Sequence, residues 1–199
     1  MNVTMTDIKK LREMTGAGLS DCKKALAESD DMDGAVAYLR KKGQAVAAKR
    51  SDREAAEGCV LVKVADGFGA IIALKCETDF VANNADFVAL TQQILDAAVA
   101  NKCKSLEEVN ALPMGDGTVA DAVTARSGIT GEKMELDGYS YIEGDNICTY
   151  NHMNRNGLCA MVAFSAPVEA EVGKNVAMQV ASAAPVAIDE TGVPQAVKD

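Results

Sequence analysis

The sequence predicts an α+β protein, and three observations carry that expectation. Up to residue 42 the apolar residues recur every three or four positions, from Gly58 they gather into two blocks around an Asp66-Gly67 pair, and from Gly144 a second strand–strand–helix pattern follows the first. With 199 residues, 48% of them hydrophobic, the chain is long enough to bury a core and falls in the range of one to two domains.

Residues 6 to 42 read as three short helices, "TDIKKLREMT", "LSDCKKALAES" and "DMDGAVAYLRKKG". Ile8 with Leu11, Cys22 with Ala25 and Leu26, and Val36 with Leu39 each form one apolar stripe, and three stripes close one small core. Thr4 or Thr6, Ser20 or Asp21, and Asp30 or Asp31 are the expected N-caps, Gly16 and Gly18 allow a reversal between the first two helices, and Gly43 is expected to end the third. "QAVAAKRSDREAAEG" reads as a helical, charged connector.

The run "GCVLVKVADGFGAIIALKC" is a β-hairpin signal, since Asp-Gly between two apolar runs suits the left-handed turn of a tight hairpin. "NADFVALTQQILDAAVANK" follows as a helix with Phe87, Leu90, Ile94 and Ala98 on one face. Residues 105 to 131 read as short helical pieces broken by Pro113 and glycines, and "EKMELDGYSYIEG" reads as a further strand. In the second pass "DNICTYNH" and "GLCAMVAF" are strands joined by "MNRNG", and "VEAEVGKNVAMQVASAA" is a helix with Val172, Val176 and Val180 on one face. Each pass predicts a small antiparallel sheet with helices packed on one side.

Charge and cysteine usage exclude several classes of function. The formal net charge is -9, so most of the surface repels a phosphate backbone and general nucleic-acid binding is not expected. Residues 1 to 53 carry eleven Lys and Arg against eight Asp and Glu, whereas the remainder carries nine against twenty-one, a step that suggests a boundary near residue 54. The six cysteines are widely separated and several sit in apolar runs, as in reduced proteins of the cytoplasm. The N-terminus has no signal-peptide core and no stretch approaches a membrane span, so a cytoplasmic protein without membrane contact is expected.

The usual chemical motifs are missing. His152 is the single histidine, and without a cysteine pair a zinc site of nitrogen and sulfur ligands is not expected. "TGAGLSDCKK" and "SGITGEK" lack the spacing of a phosphate-binding loop and read as glycine turns. "SDDMD" at 29–33 begins like a calcium loop but has Arg40 where the closing glutamate belongs, so its acids read as a helix start. No cofactor and no metal is expected.

One stretch, "CETDFVANNADFV" at 76–88, stands out because it holds two of the four phenylalanines. Phe87 belongs to the core stripe of its helix. Phe80 has two readings on spacing alone. It folds back onto the first sheet, as aromatic side chains usually do, or Thr78 and Asp79 cap a short loop that points it outward as an anchor for a partner's pocket.

With "LREMTGAGLSDCKKAL" at 11–26, "AAKRSDREAAEG" at 47–58 and "CETDFVANNADF" at 76–87 in this order, and looser matches in "TGEKM" at 130–134 and "YNHMNRNGL" at 150–158, the chain resembles the bacterial elongation factor Ts family along its length. The family are guanine-nucleotide exchange factors for elongation factor Tu, active in translation elongation. The resemblance implies a ubiquitin-associated-like three-helix module over residues 1–45, a linker over 46–57, a first core subdomain over 58–143 and a second, incomplete one over 144–199. It implies that Thr78, Asp79, Phe80 and Val81 enter the partner's G domain and dislodge its magnesium ion, that Arg12 and Leu19 dock the N-terminal module, and that Gly131 and His152 belong to core contact regions. No covalent chemistry is implied, so the chain is expected not to be an enzyme.

The sequence departs from the family where members have two methionines and this chain has Leu19-Ser20. Longer members continue past the segment matching "ASAAPVAIDETGVPQAVKD" into a coiled-coil excursion, a closing strand and a last helix, which implies an unpaired sheet edge within residues 145 to 165. Two other functions compete. The three-helix N-terminus could serve a peptide or ubiquitin-like adaptor, which leaves "TDFV" without a purpose, and Cys76 beside Glu77 could serve a cysteine-dependent enzyme with His152 as its base.

Overall fold

The computed structural model describes residues 3–198, and it is a mixed helix and sheet structure with a helical module ahead of small antiparallel sheets. Helices α1 (Met5–Thr15), α2 (Leu19–Ala27) and α3 (Met32–Lys49) close around Ile8, Leu11, Cys22, Ala25, Leu26 and Ala35, with Val36 and Leu39 packed at the rim. Thr4 caps α1 in a reciprocal box with Asp7, and Gly16 ends it in the left-handed region at φ 70°.

Two expectations about these helices are corrected. Helix α2 starts from Gly18 without a side-chain cap; Ser20 and Asp21 already lie in its first turn, where Asp21 pairs with Lys42 at 2.5 Å. Gly43 does not end α3, which runs on to Lys49 and takes up the first part of the charged connector. The glycine is there for close approach: a Cβ at Gly43 would stand 3.0 Å from the Thr124 carbonyl oxygen of a later helix. Asp31, the other expected cap, does accept from the Gly34 amide.

Strands β1 (Glu57–Ala65) and β2 (Phe68–Cys76) form the expected hairpin, and Asp66 and Gly67 both take positive φ, as a primed turn requires. Cys59, Leu61, Phe68, Ala70, Ile72 and Leu74 share one face, which is covered by a helix. Strand β2 is followed by a single helical turn, α4 (Asp79–Ala82), and then by that helix, α5 (Ala85–Ala100), which buries Phe87, Ile94 and Ala98. Full burial of Phe87 contributes roughly 2 to 3 kcal/mol by area.

The segment read as broken helical pieces is helix α6 (Leu106–Ala111), a two-residue hairpin of β3 (Pro113–Met114) and β4 (Gly117–Thr118), and helix α7 (Val119–Thr130). Helix α7 crosses α3 so closely that a Cβ on Gly128 would overlap the Gly43 Cα. Ile129 packs into the α1–α3 core, and Arg40 bonds Asp121 at 2.6 Å, so this crossing ties the helical module to the sheet. Strand β5 (Glu135–Glu143) completes a sheet of order β1-β2-β5.

Strands β6 (Asn146–Asn151) and β7 (Cys159–Phe164) pair with each other and with no other strand among the described residues. Their inner face lies on the first sheet, where Ile147 and Met161 approach Gly69, and helix α8 (Ala170–Ala183) covers their outer face. The layers are thus α5, first sheet, second sheet, α8. Val172 and Val176 do not form the packed stripe of α8; they are exposed, and Gly173 and Ala177 are buried instead, because a Cβ at Gly173 would collide with Cys148. A short helix α9 (Gln195–Lys198) follows. Among the described residues no helix is long and apolar enough to cross a membrane.

Candidate functional site

Where β2 leaves the sheet, the chain makes one compact turn instead of the expected loop. Thr78 sits in extended backbone as the N-cap of α4, its hydroxyl accepting from the Val81 amide at 3.4 Å. Asn83 closes the other end by donating to the Asp79 carbonyl at 2.8 Å, and Asn84 caps α5 at once by accepting from the Asp86 and Phe87 amides. Two helices therefore start within seven residues, and the fixed part of the turn is its backbone.

On that turn Ala82 is buried, Val81 packs at the edge of the core, Asp79 is exposed, and Phe80 is 86% exposed. An aromatic ring standing free costs apolar hydration and gains nothing from this chain, whereas Phe68 and Phe87 are fully buried. Of the two directions that spacing left open for the ring, the structure has the outward one.

Two carboxylates brace the turn from behind. Glu132, the second residue after α7, accepts from the Glu77 amide at 3.1 Å, the Thr78 amide at 3.2 Å and the Thr78 hydroxyl at 2.7 Å. Glu77 accepts from the Lys133 amide at 2.6 Å, from Arg50 at 3.0 and 3.1 Å, and from Arg53 at 3.1 Å. Gly131, left-handed at φ 75°, ends α7 and aims the chain so that Glu132 faces the turn, while Ser127 donates to the Glu132 carbonyl. Gly131 is thereby one residue from the brace of Phe80, a proximity that separate motifs in the sequence do not disclose.

The Lys133 amide first, then Arg50 and Arg53, hold the Glu77 carboxyl below its ordinary value of 4.5. A depressed carboxylate adds stability that is complete above the ordinary range and is lost as pH falls through the folded value. The destabilisation caused by Glu77→Gln is therefore expected to be largest near neutral pH and to shrink in acid. Urea midpoints of both proteins across pH check this, and a difference independent of pH would remove Glu77 from the acid response.

His152 opens a 3₁₀ turn (His152–Asn154) after β6; it is exposed, and its Nδ1 lies 2.9 Å from the Tyr150 hydroxyl. Met153, Asn154 and Asn156 all take positive φ here, and the Val60 amide donates to the Asn156 carbonyl at 2.6 Å. This loop is a neighbour of α4: Glu57, Gly58, Ala82, Asn83, Asn154 and Arg155 line a cavity of about 490 Å³ between them. Arg12 and Leu19 lie elsewhere, both exposed, at the two ends of the α1–α2 reversal beside the exposed Met14.

Cys76 is a poor nucleophile in this setting. It is buried, burial pushes its thiol up to about 11, and its Sγ donates to the Thr78 carbonyl at 3.3 Å. The arrangement that sequence reasoning missed is the brace itself. Arg50 and Arg53 lie in the segment 47–58 and Glu132 in the segment 130–134, and neither segment discloses by itself that these residues meet at the turn.

The elongation factor TS family model matches residues 77–199. Proteins named elongation factor Ts are 71% identical in Bacteroides fragilis over 199 residues, 66% identical in Bacteroides thetaiotaomicron over 200, and 54% identical in Porphyromonas gingivalis over 201. In each comparison the whole of this chain is covered, against 60%, 61% and 73% of the respective relative. The chain spans about 60% of the length of the first two.

Proposed function

The chain belongs to the elongation factor Ts family, and on that premise we propose that it is a translation elongation factor that binds elongation factor Tu and promotes release of its GDP. The observation that carries this reading is Phe80, presented 86% exposed on a turn whose entry is held by Glu132. Such a side chain is an anchor without a pocket of its own, and the pocket belongs to a partner.

The mechanism is linkage. A factor that binds the nucleotide-free GTPase more tightly than the nucleotide-bound form weakens nucleotide binding by the same ratio. Thr78, Asp79, Phe80 and Val81 enter the G domain as a unit and displace groups around the bound magnesium ion, which removes countercharge from the GDP phosphates. The exposed Arg12 and Leu19 dock the helical module on the same domain, and Gly131 and His152 contribute core contacts. No bond is made or broken, so the chain is not an enzyme in that sense, and it takes no cofactor or metal of its own. It acts in the cytoplasm and needs neither nucleic acid nor membrane. The division into a helical module (1–45), a linker (46–57) and two core subdomains (58–143 and 144–199) is part of the same reading.

The test is the rate of fluorescent GDP release from elongation factor Tu with and without the chain. Acceleration that saturates with the chain's concentration is the expected result. Binding without acceleration would leave a docking protein, and no binding would favour the adaptor.

A further inference from the structure

We propose that Glu132 is the positioning residue of the exchange turn, the group that sets where Phe80 points. The inference rests on the exchange reading above and names a part of the working site outside the Thr78–Val81 segment.

Phe80 is too exposed for packing to orient it, so its direction comes from the backbone of α4. A four-residue helix does not hold itself together, because its first turn fixes several torsions for little hydrogen-bond return. The missing constraint is external. One oxygen of Glu132 accepts both the Glu77 and Thr78 amides, which lead into the turn, and the other accepts the Thr78 hydroxyl. That same hydroxyl accepts from the Val81 amide, so a single carboxylate fixes the entry of the chain, the rotamer of the cap and, through the cap, the first turn that carries Phe80.

Only a carboxylate of this length meets the demand. It offers acceptors on both oxygens, whereas Gln keeps the shape with one acceptor, and Ala keeps neither. Glu132 is in turn anchored by the Ser127 bond to its carbonyl, by its own amide donating to Thr130 Oγ1 at 3.3 Å, and by the left-handed Gly131 before it. A second carboxylate, Glu77, is tolerated close by because Arg50 and Arg53 neutralise it.

The experiment compares Glu132→Ala and Glu132→Gln with the unaltered chain in fluorescent GDP release from elongation factor Tu, together with residue-resolved amide hydrogen exchange of the chain alone. The expected result is an approximately tenfold lower maximal release rate for Glu132→Ala, little change in the half-saturating concentration, and partial recovery in Glu132→Gln. The Glu77 and Thr78 amides would exchange faster while the β1–β2 amides keep their protection. Wild-type maximal rate in both variants, or a loss matched by exposure of the whole β1–β2 hairpin, would overturn the proposal. If the unaltered chain fails to accelerate release, the exchange reading falls first; protection of the Glu77 and Thr78 amides still decides whether Glu132 holds the turn.

Discussion

If the proposed exchange activity holds, Phe80→Ala is expected to lower nucleotide release by roughly thirtyfold or more, while the urea midpoint stays where it was. The unchanged midpoint follows from one number, because a ring that is 86% exposed has almost no burial to lose on truncation. Surface substitutions of that kind shift stability by no more than about 0.5 kcal/mol. An aromatic anchor that fills a partner's pocket is worth about 2 kcal/mol or more, which is the thirtyfold. The internal control is Phe87→Ala, seven residues on, where the ring is fully buried against the sheet and its loss costs roughly 3 to 5 kcal/mol. Measured together, the two variants separate partner contact from folding. If Phe80→Ala unfolded early and Phe87→Ala did not, the assignment of the two rings would be reversed.

How far the sequence disclosed this arrangement differs from element to element, and the reason is the range of the interaction. The hairpin at Asp66-Gly67, the cap at Thr4 and the core face of α5 are decided within a few residues, so local pattern was sufficient. Gly43 was misread because a glycine after a basic turn looks the same whether it ends a helix or admits a neighbour, and the neighbour is Gly128 on a distant helix. On α8 the period revealed a stripe, but two stripes satisfy it, and close backbone approach selected Gly173 and Ala177 over the valines. Phe80 was legible as an oddity of placement. Its brace was not, since Glu132 reaches back across more than fifty residues to bond Thr78.

Gly128→Val is expected to cost about 3 kcal/mol and to weaken partner binding, although residue 128 is in the core of neither presented surface. The crossing of α3 and α7 has room for hydrogen atoms only: a Cβ at Gly128 meets the Gly43 Cα and amide nitrogen, which are backbone and do not yield as a side-chain tip would. Alanine already forces the helices apart, and a branched side chain adds two methyl groups to the same gap. Separation releases Ile129 from the helical module and strains the Arg40–Asp121 pair, so α1–α3 lose their fixed position on the sheet. Two contact surfaces held at a set distance bind as one, since the second engages at the high effective concentration created by the first, and a loosened crossing lowers that concentration. Urea unfolding followed by one probe in the helical module and another in the first sheet should lose its coincidence, and half-saturation in the release assay should move to higher concentration while the maximal rate is kept. Gly157→Ala is the control for stability alone, for its Cβ would meet nothing within 4 Å. Wild-type stability and half-saturation in Gly128→Val would mean that the crossing tolerates separation and that the two surfaces act independently.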